Sequence, residues 1–545
     1  MEKPLKHLDV FFNPKSVAVV GATRNINKAG HVIFKNFVEN KRRGIFEGEI
    51  YPVNPHEDCI LGFPCYPKVT KIPGNVELAV IVVPASVVPE VMMDAAEKKV
   101  KAVVIITSGF SEVGNAELER EVLTIAKRAS VRVLGPNCIG VYDSKTGVDT
   151  LFLPETKILT TGEEVVATPR PMAGSIAIVT QSGAFGVAAL DYLAGRQMGI
   201  SKFVSFGNKS DVNEAEMLDY LFYDDMTKVI MLYVEDVKNG RAFMDAASKV
   251  TLKKPIVALK SGKTEAGTRA AASHTGAIAG SDQIYSAAFA QAGILRVRDM
   301  EEFFNAAKAL MMQPPAAGRN VAIITDAGGP GIMAADECEL QGMVVKRFDE
   351  KTLEKFEKLK DEGKLPKFST NLNPVDLTGS VTSEMYETAA ELVFQDSEVH
   401  AVILLGLHHT PALQEDFIDR VATVASKHVK PIVACDIGET EMALHIRSRF
   451  EKFGIPAYAS PEDAAKALGI LVKYGLYLAK KGFLNKYMRK FLEENKNSLF
   501  GLGRLDEFKK HVFPRETCSS KLTISDRLSL CKTFTNRSFK SVIVP

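Results

Sequence analysis

The amino-acid sequence predicts an α/β protein in which a Rossmann-like domain is followed by two flavodoxin-like domains. First, short runs of β-branched residues alternate with helical stretches along most of the chain, which is typical of doubly wound sheets. Second, a buried strand leads directly into a glycine-containing turn and a helix near Ser16, Gly174 and Asn320. Third, a chain of 545 residues is too long for a single hydrophobic core, so three or four domains are expected.

Composition and charge narrow the class of protein. Hydrophobic residues make up 46% and charged residues 25% of the chain, as in an ordinary globular protein. The formal net charge of +2 argues against a dedicated nucleic-acid binder. No apolar run approaches the ~18 residues of a membrane span, and the N-terminus lacks the apolar segment of a signal peptide. The seven cysteines are scattered without a Cys-x-x-Cys pair, which predicts a cytoplasmic protein with no metal site.

The first domain is expected at residues 8–145. Its opening strand at 16–20 leads into the loop from Gly21 to Gly30, and a helical pattern follows to about Lys41. Gly21 permits a tight turn, and the free N–H groups of the helix N-terminus suit a pyrophosphate. Further strands are predicted at 49–53, 78–83, 102–107 and 132–134, with helices at 86–98 and 116–128 between them.

The end of the second strand indicates which nucleotide this domain binds. NAD enzymes usually carry an Asp or Glu there, but this chain has Asn54, and its loop lacks the Gly-x-Gly-x-x-Gly motif. NAD is therefore disfavoured and coenzyme A fits better, while a scaffold without a nucleotide stays the alternative. Thr107 and Ser108 follow a neighbouring strand and should lie at the same sheet edge. Cys138 is not expected to be a nucleophile, because nothing near it would lower its thiol pKa.

The second domain is expected at residues 165–310, with its candidate site at the carboxyl ends of the strands. Gln181, Ser182 and Gly183 open a helix directly after the strand at 174–180, which makes an anion site; a plain helix N-cap is an equally good interpretation. Glu235 follows the strand at 229–234, where a solvated acid is the simpler alternative.

His274 lies in a loop of small residues, Ala271-Ala-Ser-His-Thr-Gly-Ala-Ile-Ala-Gly-Ser281, after the strand at 255–259. Neutral imidazole is a good nucleophile near pH 7, so we expect His274 to become a phosphohistidine. Glu235 would accept a hydrogen bond from one ring nitrogen and leave the other free to attack phosphorus. Taken alone, the motif favours a loop histidine without a role, and only the rest of the chain favours the phosphohistidine.

The third domain is expected at residues 316–480, where the strand at 320–325 leads into the turn Asp326 to Gly331. Residues 373–376 are interpreted as a loop at a strand end, and further strands are predicted at 401–406 and 431–435. Its expected role is to hold a partner subunit or to shelter the phosphohistidine. His408 and His409 are not expected to bind a metal, because adjacent residues on a strand face opposite ways. In the tail at 481–545, the sequence predicts a helix near 485–497, and no function is assigned to this tail.

Taken in order, these segments resemble the α subunit of ADP-forming acetate–CoA ligases, relatives of the succinyl-CoA synthetase α chain. The resemblance covers roughly residues 8–480. The matching pieces are Val20-Gly-Ala-Thr23, Tyr51-Pro-Val-Asn-Pro55, Gly135-Pro-Asn-Cys138, Thr180-Gln-Ser-Gly183, Gly207-Asn208 with Asp211, and Ser273-His-Thr-Gly276.

The resemblance implies a site and a reaction. It implies that His274 is phosphorylated and that Glu235 is its stabilising partner. The residues it implies for coenzyme A are Gly21, Ala22, Thr23, Lys28, Gly30, Asn54, Thr107 and Ser108. The implied reaction converts acyl-CoA, phosphate and ADP to free acid, ATP and coenzyme A through an acyl phosphate and the phosphohistidine.

The nucleotide site is expected on a partner. The chain has no P-loop and leaves no room for an ATP-grasp module after its third domain. ADP or ATP with Mg²⁺ is therefore expected on a separate ATP-grasp β subunit, in an α2β2 assembly. The alternatives are a non-catalytic acyl-CoA-binding regulatory protein and a succinate–CoA ligase α chain, which ends after two domains. The sequence does not fix the acyl group or the choice of ADP over GDP.

Overall fold

The computed structural model describes the backbone of residues 6–275 and 281–495, and the side chains of 7–270 and 281–495. The chain divides into two compact units with the boundary between Ala307 and Lys308. Three α/β sheets make up these units, so the predicted fold class is confirmed. In the described ranges, no helix is both long and apolar enough to cross a membrane.

The first sheet has the parallel order β2-β1-β5-β6-β7. Its strands β1, β5 and β6 are buried along their whole length, as expected for a parallel sheet with helices on both faces. The elements are α1 (Lys6–Asp9), β1 (Ser16–Val20), α2 (Ala29–Arg42), β2 (Glu49–Val53), β3 (Cys59–Ile60), β4 (Phe63–Pro64), β5 (Leu78–Ile81), α3 (Val88–Glu97), β6 (Ala102–Ile105), α4 (Ala116–Ala129) and β7 (Arg132–Leu134).

The second sheet has the order β15-β14-β13-β11-β12-β8, in which β8 runs antiparallel to β12. The elements are β8 (Gly140–Asp143), β9 (Thr156–Ile158), β10 (Glu164–Val166), β11 (Ala173–Thr180), α5 (Gly183–Gly195), β12 (Ile200–Ser205), α6 (Glu214–Tyr223), β13 (Val229–Val234), α7 (Gly240–Val250), β14 (Ile256–Lys260), α8 (Glu265–Thr275), α9 (Asp282–Ala292), β15 (Leu295–Val297) and α10 (Met300–Met312). Strands β9 and β10 form a separate hairpin.

The first two sheets belong to one unit because they share a core. A continuous hydrophobic cluster runs from Phe34 in α2, through Val141 and Phe206, to Leu232 in β13. Strand β8 lies within the residues predicted for the first domain, yet it pairs with β12 of the second sheet. The carboxyl ends of both sheets are thereby held in one rigid neighbourhood, where a ligand can contact both.

The second unit contains a sheet of order β17-β18-β16-β19-β20-β21, parallel except for β17. The elements are β16 (Val321–Thr325), α11 (Gly328–Leu340), α12 (Glu350–Asp361), β17 (Thr370–Asn371), β18 (Val375–Asp376), α13 (Ser383–Gln395), β19 (Ala401–Leu405), α14 (Phe417–Ala425), β20 (Ile432–Cys435), α15 (Glu441–Lys452), β21 (Ala457–Tyr458), α16 (Pro461–Lys480) and α17 (Leu484–Glu494). The predicted loop at 373–376 is therefore partly wrong, since Val375 and Asp376 pair with β16.

The structure also differs from the sequence predictions for the segment around His274 and for the tail helix. His274, predicted in a loop, lies in the last turn of α8 by its backbone, because alanines and a threonine sustain the helix to Thr275. The tail helix begins at Leu484 and ends at Glu494 rather than near 497, and residues 496–545 lie outside the described part of the chain.

Candidate active site

A cavity of about 570 Å³ lies where the carboxyl ends of the first two sheets face each other. Six residues predicted for the site line it together: Thr107, Ser108, Gln181, Ser182, Gly183 and Glu235. Gly21, Ala22, Thr23, Lys28, Gly30 and Asn54 lie outside its lining, and the glycine loop reaches it through Ala29. Predicted coenzyme A residues and predicted phosphate residues therefore border one space.

The glycine loop brings the N-terminus of α2 close to the first sheet. Gly21 has a φ of +95°, and a Cβ there would lie 2.3 Å from the carbonyl oxygen of Val82. A Cβ on Gly30 would lie 2.0 Å from the carbonyl oxygen of Gly21. The N-cap residue Lys28 makes no side-chain capping bond, so no capping side chain competes with an anion for the N–H groups of Ala29 and Gly30.

Two residues predicted to touch coenzyme A hold the backbone of this edge. The Asn54 Nδ2 donates to the carbonyl oxygen of Ala22 at 2.8 Å, and its Oδ1 accepts from the N–H of His56 at 2.9 Å. The Thr107 hydroxyl donates to the carbonyl oxygen of Val83 at 2.7 Å. Asn54 thus fixes the shape of the glycine loop, and Thr107 ties two strand ends together.

Gln181 clamps the chain that carries Glu235. Its Nε2 donates to the carbonyl oxygen of Asp236 at 2.7 Å. Its Oε1 accepts from the N–H of Asp236 at 3.0 Å and from the N–H of Glu235. Both ends of the amide are used for these bonds, and Gln181 is only 8% exposed. Its side chain therefore positions Glu235, and its direct contact with a phosphate stays a prediction.

Ser182 is the N-cap of α5, as one of the two sequence interpretations predicts. Its Oγ accepts from the N–H of Phe185 at 3.3 Å, and Thr180 donates through its hydroxyl to the Ser182 carbonyl at 2.8 Å. A Cβ on Gly183 would lie 2.8 Å from Ile139, so this turn packs directly against the loop after β7. The cap leaves the N–H groups of Gly183 and Ala184 at the cavity, where an anion would be stabilised.

Glu235 is 7% exposed and lines the cavity at the carboxyl end of β13. Burial raises the pKa of the Tyr233 hydroxyl, and the charge of Glu235 adds to this rise. Helix α8, which carries His274, follows the neighbouring strand β14 after a short connection. The side chain of His274 lies outside the described part of the chain, so its pairing with Glu235 stays a prediction.

The sequence interpretation missed two lysines at the cavity, of which Lys209 is buried and Lys238 is exposed. Lys209 is 4% exposed, and its Nζ lies 3.0 Å from Oδ1 of Asp236 and 3.4 Å from Oε2 of Glu214. Lys238 donates to the carbonyl oxygen of Asn208 at 2.9 Å. Both line the cavity. Lys209 lies inside the motif Gly207 to Asp211, and its left-handed φ of +52° could not be predicted from sequence.

The loop that carries Lys209 is fastened to the first sheet. Arg132 in β7 donates to Asp211 at 2.8 Å and to Glu216 at 2.9 Å. The Asn208 amide donates to Glu112 at 2.7 Å and to Glu119 at 2.9 Å. Through these bonds Asn208 and Asp211 join the two sheets around the cavity.

The histidine pair of the second unit lies in a turn, and the sequence argument about it was wrong. His408 and His409 follow β19, and their ring centroids are only 3.9 Å apart, so they do not face opposite ways. The His408 Nδ1 lies 2.7 Å from Oδ1 of the buried Asp436. Among the described residues, no group of three or more His, Cys, Asp or Glu side chains is arranged to hold a metal.

Fold and site together define a chain with the domain set of coenzyme A ligases. Three family models match it: a CoA binding domain at residues 15–144, a succinyl-CoA ligase like flavodoxin domain at 173–310, and a Ligase-CoA domain at 321–477. These models follow the three sheets in turn, except that strand β8 of the second sheet lies within the first model.

Similarity to individual curated proteins defines the family more narrowly than the three domain models do. The chain is 38% identical to acetate–CoA ligase [ADP-forming] II subunit alpha of Pyrococcus furiosus, over 86% of this chain and 97% of that protein. It is 39% identical to the isoform I alpha subunit of the same organism, over 87% and 99%. Acetate–CoA ligase [ADP-forming] I of Archaeoglobus fulgidus is 38% identical, but the chain spans only 64% of its length.

A solved structure agrees with these relatives. The dinucleotide-forming acetyl-coenzyme A synthetase 1 of Ca. Korarchaeum cryptofilum, in complex with phosphate and ADP, matches with a TM-score of 0.77 and 35% identity. The match covers 87% of this chain and 98% of that one. The chain belongs to the family of ADP-forming acetate–CoA ligase alpha subunits.

Proposed function

We propose that this chain is the α subunit of an ADP-forming acyl-CoA ligase, which converts acyl-CoA, phosphate and ADP to free acid, ATP and coenzyme A. The observation that carries the proposal is the shared cavity. Thr107 and Ser108 of the first sheet border it together with the capped N-terminus of α5 and Glu235 of the second sheet. Coenzyme A held on one side would present its thioester to a phosphate held on the other. The alpha subunits named among its relatives support this assignment.

The first chemical step joins phosphate to the acyl group. A phosphate oxygen attacks the thioester carbonyl carbon, the C–S bond breaks, and coenzyme A leaves as its thiolate and takes up a proton. The N–H groups of Gly183 and Ala184 and the ammonium of Lys238 would hold the phosphate, because all three line the cavity. The product is an acyl phosphate in the same space.

The second step moves the phosphoryl group to His274. A ring nitrogen forms the N–P bond, the P–O bond to the acyl oxygen breaks, and the free carboxylate leaves. Glu235 would accept a hydrogen bond from the other ring nitrogen and stabilise the positive imidazole. Helix α8 follows strand β14, which pairs with the strand that ends at Glu235, and this topology supports the proposed pair.

A labelling experiment tests both steps with this chain alone. The purified protein is incubated with ³²P-phosphate and acetyl-CoA, and the label is located by peptide mapping. We expect acid-labile, base-stable label on His274, no label in the His274→Ala variant, and slower labelling in the Glu235→Gln variant. Label that persists in the His274→Ala variant would refute the assignment of the phosphohistidine.

The last step transfers the phosphoryl group to ADP, and we propose that ADP and Mg²⁺ bind an ATP-grasp β subunit in an α2β2 assembly. Relatives that match over nearly their whole length are named alpha subunits, which supports a separate partner. Incubated with labelled ATP and Mg²⁺, the chain alone should stay unlabelled and should become labelled once the β subunit is added. Stoichiometric labelling of His274 without a partner would show that this location of the nucleotide site is wrong.

A further inference from the structure

No step of the proposed reaction uses Lys260, although this charged residue is buried at the carboxyl end of the second sheet. Lys260 is the last residue of β14 and is 1% exposed. It pairs in the sheet with Val234, which directly precedes Glu235. Burying a lysine is costly unless its ammonium is satisfied by partners. The partners of this ammonium therefore indicate its role.

The ammonium of Lys260 joins two segments that flank α8 in the sequence. Its Nζ donates to the carbonyl oxygen of Ser261, the first residue of the connection from β14 to α8. It also lies 4.6 Å from the ring centroid of Tyr285 in α9, a distance at which the charge attracts the aromatic face. Among the side chains that the structure describes, Lys260 forms no ion pair with a carboxylate, whereas Lys202 and Lys209 each do. Its charge acts on a backbone carbonyl and a ring.

Tyr285 extends this contact to the turn that carries Glu235. The Tyr285 hydroxyl accepts a hydrogen bond from the N–H of Val237 at 3.1 Å, two residues beyond Glu235. The ring packs edge-on against Phe289 of the shared core, with 5.9 Å between the centroids. Lys260 is thus connected through one supported ring to the turn of the residue proposed to orient the phosphohistidine.

Ser261 begins a connection that holds the start of α8 to the end of β14. The hydroxyl of Thr268 in α8 donates to the carbonyl oxygen of Gly262 at 3.2 Å. The Oγ1 of Thr264 accepts from the N–H of Gly267 at 3.1 Å and so caps the helix. The position of α8, the helix proposed to carry the phosphohistidine, therefore depends on where the Ser261 backbone is held.

We propose that Lys260 is a positioning residue for phosphoryl transfer, whose ammonium holds both the base of α8 and the turn of Glu235; the inference rests on the proposed function. The charged form is required, because a neutral amine attracts a carbonyl oxygen and an aromatic face far less strongly. A misplacement of about 1 Å between reacting groups costs roughly 10²-fold in rate. Loss of the charge should therefore slow labelling of His274 without weakening coenzyme A binding.

The charge of Lys260 gives this role a characteristic pH dependence. Burial lowers the pKa of Lys260, and Arg296 in β15 lowers it further. Asp282 in α9, and Asp236 and Glu235 after β13, act in the opposite direction without cancelling the shift. The ammonium is present below this lowered pKa and is lost as pH rises through it, earlier than for an exposed lysine. A role that depends on the charge must therefore fade at alkaline pH.

The experiment compares the Lys260→Met variant with the wild-type chain in the initial rate of His274 labelling from ³²P-phosphate and acetyl-CoA. Methionine retains most of the side-chain length and removes the charge. At pH 7 we expect the variant to label about 10- to 100-fold more slowly, with its coenzyme A affinity by calorimetry unchanged within about twofold. The ratio of wild-type to variant rate should fall toward one as pH is raised from 7 to 10, because both chains then lack the ammonium.

Lys254→Met is the matched control. Lys254 is 3% exposed, lies just before the other end of β14, and donates to the backbone carbonyl oxygens of Leu221 and Asp224. Its replacement should lower the free energy of unfolding and leave both the labelling rate and its pH dependence unchanged. A pH-dependent loss of labelling in this control would overturn the assignment to Lys260.

Tyr285→Phe tests the connection to Glu235 even if the Lys260→Met variant does not fold. It keeps the ring that faces the ammonium and removes the acceptor for the N–H of Val237. We expect labelling to slow about fivefold, the size of one net hydrogen bond. Labelling at the wild-type rate would refute the connection.

Two results with Lys260→Met would overturn the proposal. Labelling as fast as in the wild-type chain would show that the ammonium positions nothing, and a rate ratio that stays constant from pH 7 to 10 would show a purely structural role. If the wild-type chain itself does not label His274, the proposed function fails and the inference fails with it. Normal wild-type labelling with an unaffected Lys260→Met variant refutes the inference alone.

Discussion

Replacing Gln181 by alanine tests whether this side chain acts on the reaction by holding Glu235 in position. The Gln181→Ala variant would leave the N–H groups of Glu235 and Asp236 without this partner, whereas the carbonyl oxygen of Asp236 keeps its bond from Lys209 Nζ at 2.8 Å. A buried polar group that loses its partner costs about 1–3 kcal/mol. Water from the adjoining cavity would replace part of this, so we expect the free energy of unfolding to fall by about 2–4 kcal/mol.

The same change should slow the chemistry. Without the clamp, the turn that carries Glu235 is free to shift, and a misplacement of about 1 Å near reacting groups costs roughly 10²-fold in rate. We therefore expect His274 labelling from ³²P-phosphate and acetyl-CoA to slow by about that factor, with little change in coenzyme A affinity. Coenzyme A affinity is measured by calorimetry, and the labelling rate by rapid quench.

Gln313→Ala is a control matched in chemistry. Gln313 is 1% exposed, and its amide donates to the carbonyl oxygen of Gly454 at 2.6 Å and accepts from the N–H of Ile432 at 3.1 Å. It lies in the second unit, so its removal should destabilise that unit and leave labelling unchanged. If Gln181→Ala labels as fast as the wild-type chain, the positioning argument is refuted.

A pH series with the Gln181→Glu variant tests whether residue 181 donates the hydrogen bond to the carbonyl oxygen of Asp236. At neutral pH the introduced carboxylate would place an acceptor oxygen against the Asp236 carbonyl oxygen, where Nε2 now donates at 2.7 Å. Protonation converts that oxygen to a donor and restores the bond. The labelling rate relative to wild type should therefore rise as pH falls, and a ratio that is flat or falls toward acid pH would contradict the assigned bond.

Two further predictions concern the first sheet. Gly30→Ala should abolish tight coenzyme A binding, because the new Cβ would lie 2.0 Å from the Gly21 carbonyl oxygen; Gly240→Ala, where the Cβ meets nothing within 4 Å, should leave calorimetric binding unchanged. Burial raises the pKa of the Cys138 thiol to about 12, so it stays protonated at pH 8. Iodoacetamide should then modify the exposed Cys59 and spare Cys138 in peptide maps, and fast modification of Cys138 would contradict the burial.

The strands that were predicted match the structure to within one or two residues because their sequence signal is local, whereas strands such as β8 and β15 were not predicted. Val17, Ala18 and Val19 form an apolar run that is buried on both faces, and the structure places β1 there without change. The last turn of α8 was missed because Ser273 and Thr275 are weak helix formers, and the helix preference of Ala271 before them was not given enough weight. The pairing of strands such as β8 and β12 depends on contacts between residues distant in the sequence, which a local sequence pattern does not predict.

The location of the site could be predicted from the sequence, but the role of each residue in it could be predicted only in part. Parallel strands that end in polar residues bring those residues to one edge, so Thr107, Gln181 and Glu235 reach the same cavity as expected. Which atom each side chain contacts depends on the backbone around it. Lys238 was overlooked because a lysine two residues beyond Asp236 resembles any solvated charge, and its two carbonyl partners come from a distant loop.

Several residues predicted as ligand contacts hold the backbone in place, and there is a physical reason for this role. An anion site built from N–H groups needs those groups to point into the cavity without competitors, so other parts of the same turns must be fixed by side chains. Asn54 fixes the glycine loop, Ser182 caps α5, and Gln181 fixes the turn at Glu235. Short polar residues at these positions therefore predict a preorganised backbone as much as a direct contact. The consequence is that substitution of such a residue should change reaction rates through geometry, which is the outcome that the Gln181 variants distinguish.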